Sequence, residues 1–276
     1  MVESTSSPFL WLWRKFFSIT NYMKNIVLSG CSYSCVHTDT DAPLGYWPVN
    51  HRRDNFSYPN FLADTLTYNL VDISQSGQSN RKILKDVYEN ISSEPTIYIV
   101  QLTHLHRTGF YCDSINSWID FQPHSSTQQP TILNDLVSWS FNLESSRIEI
   151  FNHTPKSNDF DSIIQKLQKA YETQLMLSYS ELEEFKYLMY QCDMLKSHIK
   201  TINSNNKVLF LYWPLLSDEL LNEFDSYNFL NIDGVYSIQE WSVKNNFLGM
   251  DAHLNPRGHR SLANHIYNFI QDNLDI

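Results

Sequence analysis

Cysteine is scarce in this chain and carries no pattern. Four cysteines stand at positions 31, 35, 112 and 192, too thinly spread for a disulfide scaffold. No two of them have the two-residue spacing of a zinc or dithiol site. Reduced thiols in a cytoplasmic setting are therefore expected. Positive charge is also short. Twenty Lys and Arg face thirty Asp and Glu, a formal net charge of −10. That balance argues against a nucleic-acid surface, which needs clustered cations to release counterions.

Long apolar runs are missing too. The aromatic stretch from Pro8 to Phe17 is broken by Arg14 and Lys15 and has no basic region before it. It fits neither a secretory signal nor a bilayer span. Residues 1–22 are read as a poorly ordered extension, with an interfacial helix as the membrane-binding alternative. Met23, just before the first strand pattern, would make a sensible initiator. Internal repeats, low-complexity tracts and interior linkers are absent as well, so residues 23–276 are expected to form a single domain.

What the chain does have is a folded composition, 42% hydrophobic and 14% aromatic, and an alternating rhythm of elements. Ile26–Ser29 is a short run without polar alternation, the signature of a strand covered on both faces. Ser57–Tyr68 reads as a helix with Ser57 as cap, Pro59 in its first turn and an apolar face of Phe61, Leu62 and Leu66. A second strand is expected over Asn69–Ser74. A helix carrying Ile83, Val87 and Ile91 comes next, and Thr96–Leu102 is the strongest strand. Strand, helix, strand, helix, strand in this order implies parallel pairing.

Between His104 and Asn158 no regular element is expected apart from Ile132–Trp139, and so long a stretch suggests a lid or binding loop. A long helical pattern runs from Phe160 to Ile202, with a break near Ser178–Ser180. Lys207–Trp213 is a further strand, and a small one is expected at Val235–Ile238. Asn255 caps a last helix, Pro256–Leu274, whose apolar face is Leu262, Ala263, Ile266, Phe269 and Ile270.

The chemistry begins where the first strand stops. Gly30-Cys31-Ser32 presents a hydroxyl at the carboxyl edge of the expected sheet, where ligand sites of open α/β sheets gather. Serine needs a base to take its proton, and the base needs an acceptor to hold its tautomer. Asp251-Ala-His253, just before the last helix, supplies both residue types. His259 and His265 fall inside that helix pattern and are read as structural. Cys31 as a thiol nucleophile, His104 with His106 as metal ligands, and Trp47, Trp213 and Trp241 as sugar-stacking rings are the competing readings. Each is weighed against a cleft-lining or core role, and no metal or cofactor is expected.

Taken together, three blocks resemble the SGNH (GDSL-like) hydrolase family. Gly30-Cys31-Ser32-Tyr33-Ser34 stands where the family holds its nucleophile. Ser76-Gly77-Gln78-Ser79-Asn80 stands where a Gly gives an oxyanion amide, and Asp251-Ala-His253-Leu-Asn-Pro is similar to the closing block. The resemblance implies a flavodoxin-like three-layer α/β/α sandwich with a mainly parallel sheet, here with a long helical insertion. It also implies hydrolysis of an acyl ester without a metal, on lipid or acetylated carbohydrate. Ser32 would attack, His253 would act as base and acid, and Asp251 would orient it. The amides of Ser32 and Gly77 would hold the oxyanion.

Two blocks depart from the family. Cys31 replaces an Asp beside the nucleophile. After the third strand the family's Gly-x-Asn-Asp is replaced by Gln101-Leu-Thr-His-Leu-His-Arg107, which lacks the Asn that donates to the oxyanion. Asn80, Thr103, His104 and Arg107 are the candidate substitutes. A serine esterase is thus the leading expectation, with a catalytically weak or inactive binding or assembly protein, or an acyltransferase on the same site, as alternatives.

Overall fold

The hydrophobic runs of the first, third and last strands pair as a parallel sheet. The computed structural model describes residues 25–31, 57–74, 78–112, 117–124, 138–143, 180–224, 227, 229–249 and 253–273. Its first sheet joins β1 (Asn25–Ser29), β2 (Asn69–Asp72), β3 (Thr96–Leu102) and a later strand, β7 (Lys207–Tyr212), in the order β2-β1-β3-β7. All three pairings are parallel, with Leu28 opposite Ile99 and Ile99 opposite Leu209.

Alternate residues of each central strand feed two separate cores. Ile26, Leu28, Ile97, Ile99, Leu209 and Leu211 lie in one of them, with α1 (Tyr58–Leu66) and α6 (Pro256–Asn273). Val27, Tyr98, Val100, Leu102, Phe210 and Tyr212 lie in the other, with α2 (Asn80–Glu89), α3 (Glu181–Ile202) and α4 (Asp218–Phe224). A strand covered on both faces has no place for a polar alternation, which is why these runs read as continuously apolar. All seven residues of β3 are buried. The architecture is an α/β sandwich, with a parallel sheet between two helical layers.

Helix boundaries follow capping chemistry. Ser79 accepts from the Lys82 amide at 3.4 Å and opens α2, and Ser180 does the same for Glu183 at the start of α3. The break expected near Ser178–Ser180 therefore coincides with a true helix start, while residues 160–179 of the expected long helix lie outside the described residues. Its buried face, Phe185, Leu188, Met189, Cys192, Leu195 and Ile199, makes α3 part of the layer that carries the chain from β3 to β7. Asn255 Oδ1 accepts from the Gly258 amide at 2.9 Å and caps α6 as expected. Ser57 precedes α1 without a side-chain cap bond.

Two expectations need correction. The stretch after His104 holds regular structure: β4 (Thr108–Cys112), β5 (Ser117–His124) and β6 (Ser138–Leu143) form an antiparallel sheet in the order β4-β5-β6. Strand β6 in fact alternates polar and apolar residues strictly (Ser138, Trp139, Ser140, Phe141, Asn142, Leu143), a two-residue strand signal that the expectation of an irregular stretch passed over. The small strand expected at Val235–Ile238 is reduced to isolated bridges, and α5 (Ile238–Lys244) begins within it. Ser237 accepts from the Glu240 amide at 3.0 Å, so capping overrides the β-branched run.

Candidate active site

The connection leaving β1 leads to α1 on one face of the sheet, while the helix that follows β3 packs on the other. Neighbouring strands whose connections part in this way leave a crevice at their carboxyl ends, the usual ligand site of such sheets. Gly30 and Cys31 end β1 at this edge, and Ser29 Oγ ties the strand to α2 by donating to the Ile83 carbonyl at 3.1 Å. The next residue is Ser32. It, Gly77 and Asp251 lie outside the described residues.

Four candidate residues are described. Asn80, the first residue of α2, reaches the turn after β3 and clamps it. Its Oδ1 accepts from the Thr103 amide at 2.7 Å, and its Nδ2 donates to the Thr103 carbonyl at 2.9 Å and to the His104 carbonyl at 3.4 Å. Both amide hydrogens are thereby engaged by backbone carbonyls. The helix start behind this clamp is itself anchored. Gln78 donates to Asp86 at 2.7 Å, and Lys82 forms a buried ion pair with the same carboxylate at 2.5 Å.

Thr103 is wholly buried, and its Oγ1 has no hydrogen-bond partner. The turn is closed by the Arg107 amide, which donates to the His104 carbonyl at 3.1 Å. His104 and His106 stack with ring centroids 5.0 Å apart. Burial, with the Arg107 guanidinium and the His106 ring adding to it, holds His104 well below the usual histidine range. Burial and Arg107 bring His106 down to about 4. Both rings are neutral at pH 7, each with one N–H and one lone pair. No group of three or more potential metal ligands occurs among the described residues.

His253 lies on a narrow loop folded back on itself before α6. Leu248 and Leu254 form an antiparallel bridge, the Gly249 amide donates to the His253 carbonyl at 2.7 Å, and the Asn255 amide donates to Phe247 O at 2.7 Å. Gly258 permits the close approach of this loop to α6. A Cβ there would sit 2.7 Å from Phe247 Cβ and 2.9 Å from Phe247 O.

The start of α6 is moored to the sheet through Tyr58. The Tyr58 amide donates to His259 Nδ1 at 3.2 Å, and the Tyr58 hydroxyl donates to Gln101 Oε1 at 3.1 Å. His259, 8% exposed, is thus a structural residue, as read from its place in the helix. His265 meets Trp241 edge-on at 5.6 Å. Tyr58 and Gln101 were not singled out from the sequence. The contact to His259 spans 201 residues, and no local pattern encodes such a pairing.

Burial bears on two competing readings. Cys31 is fully buried, the setting of a core thiol more than of a nucleophile. Trp213 and Trp241 are core rings at 1% and 2% exposure, not sugar platforms. Trp47 lies outside the described residues.

No family model matches the chain, and no curated protein does. Among solved structures, one similar chain is an acetyl xylan esterase from the rumen bacterium Butyrivibrio proteoclasticus, at 10% identity and a TM-score of 0.44. Another is a family two carbohydrate esterase from Clostridium thermocellum in complex with cellohexaose, at 11% identity and a TM-score of 0.43. The alignments cover 92% and 91% of this chain. In each case they span 65% of the length of the other chain.

Proposed function

We propose that this protein is a serine esterase of the SGNH type that removes an acyl group from a polar ester, with an acetylated carbohydrate as the substrate class. One observation carries the reading. The residues flanking each catalytic block converge on one edge of a parallel sheet at its topological switch point. Cys31 ends β1 there, Asn80 pins the turn after β3, and the Gln101–Tyr58–His259 tether fixes the start of the helix that follows His253. In this reading Ser32 attacks the acyl carbon and His253 takes its proton. Asp251 holds the imidazole, and the amides of Ser32 and Gly77 receive the oxyanion. The protonated His253 gives that proton to the departing alcohol. It then takes one from a water that attacks the acyl-Ser32 ester, releasing the carboxylic acid as Ser32 regains its hydroxyl proton.

The test is hydrolysis of p-nitrophenyl acetate and of acetylated sugars by the wild-type chain and by Ser32→Ala. Removal of the nucleophile is expected to lower kcat by several orders of magnitude. Equal turnover by the two proteins would remove Ser32 from the mechanism.

The state of Asn80 favours a second reading. Its amide is spent on the backbone of Thr103 and His104, and the third block has no Asn of its own. A chain with a weakened oxyanion hole would serve as a binding protein on the same fold. That reading predicts no labelling of Ser32 by a fluorophosphonate probe, whereas the esterase reading predicts stoichiometric labelling that Ser32→Ala abolishes.

A further inference from the structure

Among the described residues, one partly buried cation stands at the carboxyl edge of the sheet with an unpartnered nitrogen. The ion pairs within the described helices all use lysine at local spacing: Lys82 with Asp86, Lys85 with Glu89, Lys186 with Glu183 and Lys244 with Glu240. Arg81, Arg257 and Arg260 are exposed, Arg260 lying over the Phe61 ring at 5.1 Å. Arg107 differs. It is half-buried at the carboxyl edge of the sheet, its Nη1 is shut off from solvent, and that nitrogen has no hydrogen-bond partner. Nor does Arg107 form an ion pair among the described residues, in a chain whose carboxylates outnumber its basic side chains thirty to twenty.

A partly buried guanidinium without an anion is costly, and an acidic chain has ample means to supply one. The neighbours keep the position cationic and unpaired. His104 and His106 are neutral and add hydrogen-bonding nitrogens without competing charge. The Thr103 hydroxyl, also unpartnered, lies at the other end of the same turn. Asn80 fixes the backbone of that turn, so the fork of Arg107 projects from a preset base.

We infer that Arg107 is a specificity-determining residue that receives a carboxylate carried by the ester substrate. The inference rests on the esterase reading and names its substrate class: an acyl ester bearing a carboxylate near the scissile bond, such as an acylated uronic acid or the half-ester of a dicarboxylic acid. Guanidinium and carboxylate match as planar two-point partners. The carboxylate could belong to the alcohol or to the acyl group, and two substrate pairs separate these sources.

The experiment compares kcat/KM for acetylated methyl glucuronoside against acetylated methyl glucoside, and for mono-4-nitrophenyl glutarate against 4-nitrophenyl butyrate. The wild-type chain is expected to prefer the anionic member of one pair by about 10- to 100-fold, the range of a charge-assisted hydrogen bond. Arg107→Gln should bring that ratio close to one, and Arg107→Lys should retain part of it. A ratio near one in both pairs for the wild type overturns the inference. So does a preference that survives in a folded Arg107→Gln protein.

A second measurement does not depend on turnover: calorimetric binding of methyl glucuronoside and of monomethyl glutarate to Ser32→Ala. Binding that is lost on adding Arg107→Gln supports the carboxylate site even if Ser32 proves inert, in which case only the esterase reading fails. No binding of either anion to Ser32→Ala counts against the site. Ser32-dependent hydrolysis without anion preference leaves the esterase standing and removes Arg107 from specificity.

Discussion

Asn80 is the residue on which the third block depends. Its side chain replaces backbone partners for both the amide and the carbonyl of Thr103, which is fully buried. Asn80→Ala leaves these groups without partners, and an unsatisfied buried group costs about 1–3 kcal/mol. A loss of about 2–4 kcal/mol in urea-measured stability is expected, together with a fall in esterase kcat as the turn loosens.

The histidine pair gives a pH signature at the same scale. His106 falls from 6.5 to about 4 on folding, so between those values the unfolded chain binds more protons than the folded one. Stability is then fully present above about pH 6.5 and declines as pH drops toward 4. His104 contributes in the same direction. Urea midpoints at pH 7 and pH 5 measure the loss. His106→Gln, which removes one titrating group, should flatten the difference.

Among the elements, the first turn of α6 matters most for the site. Phe247 and Leu254 pack on Gly258, where an added Cβ would meet Phe247 backbone and Cβ below 3.0 Å. Backbone on one side and helix on the other leave no flexible atom to yield. Gly258→Ala is expected to cost about 1–3 kcal/mol, the usual range for overpacking. It should also displace the segment that carries His253, so the kcat of the folded variant should fall more than its KM rises. Urea unfolding and steady-state kinetics check the two parts.

At the scale of the whole molecule, the two cores lie on opposite faces of the parallel sheet. Ile99 sits in β3 between β1 and β7, wholly buried on the α1–α6 face. Ile99→Ala should destabilise the fold by about 2–5 kcal/mol. Because β3 also anchors the other core, far-UV circular dichroism and tryptophan fluorescence should report one transition at the same urea concentration. Separate transitions for the two probes would show that the layers unfold independently.

Much of this was legible in the sequence because it is local. A strand buried on both faces must be apolar throughout, and β1, β3 and β7 announce themselves in that way. An Asn or Ser before an amphipathic run is a favoured cap, and of the two read as such Asn255 caps α6 whereas Ser57 makes no side-chain cap bond. The order of elements, the parallel pairing and the carboxyl-edge position of Gly30-Cys31 followed from these rules, as did the structural role of His259. The antiparallel β4–β6 sheet was legible in part, because Ser138–Leu143 alternates polar and apolar residues, whereas β5 breaks that alternation at Trp118-Ile119.

What only the tertiary structure decided are contacts between residues far apart in the chain. The clamp of Asn80 on Thr103, the mooring of His259 and Gln101 through Tyr58, and the solitude of Arg107 belong to this group. Hydrogen bonds and missing ion partners depend on which groups the folded chain brings together, and spacing along the sequence does not encode that. The sequence offered Asn80, Thr103 and Arg107 as equal candidates for one role. Folding gives them different surroundings: a side chain bound to backbone, a buried hydroxyl without a partner, and a half-buried cation without an anion.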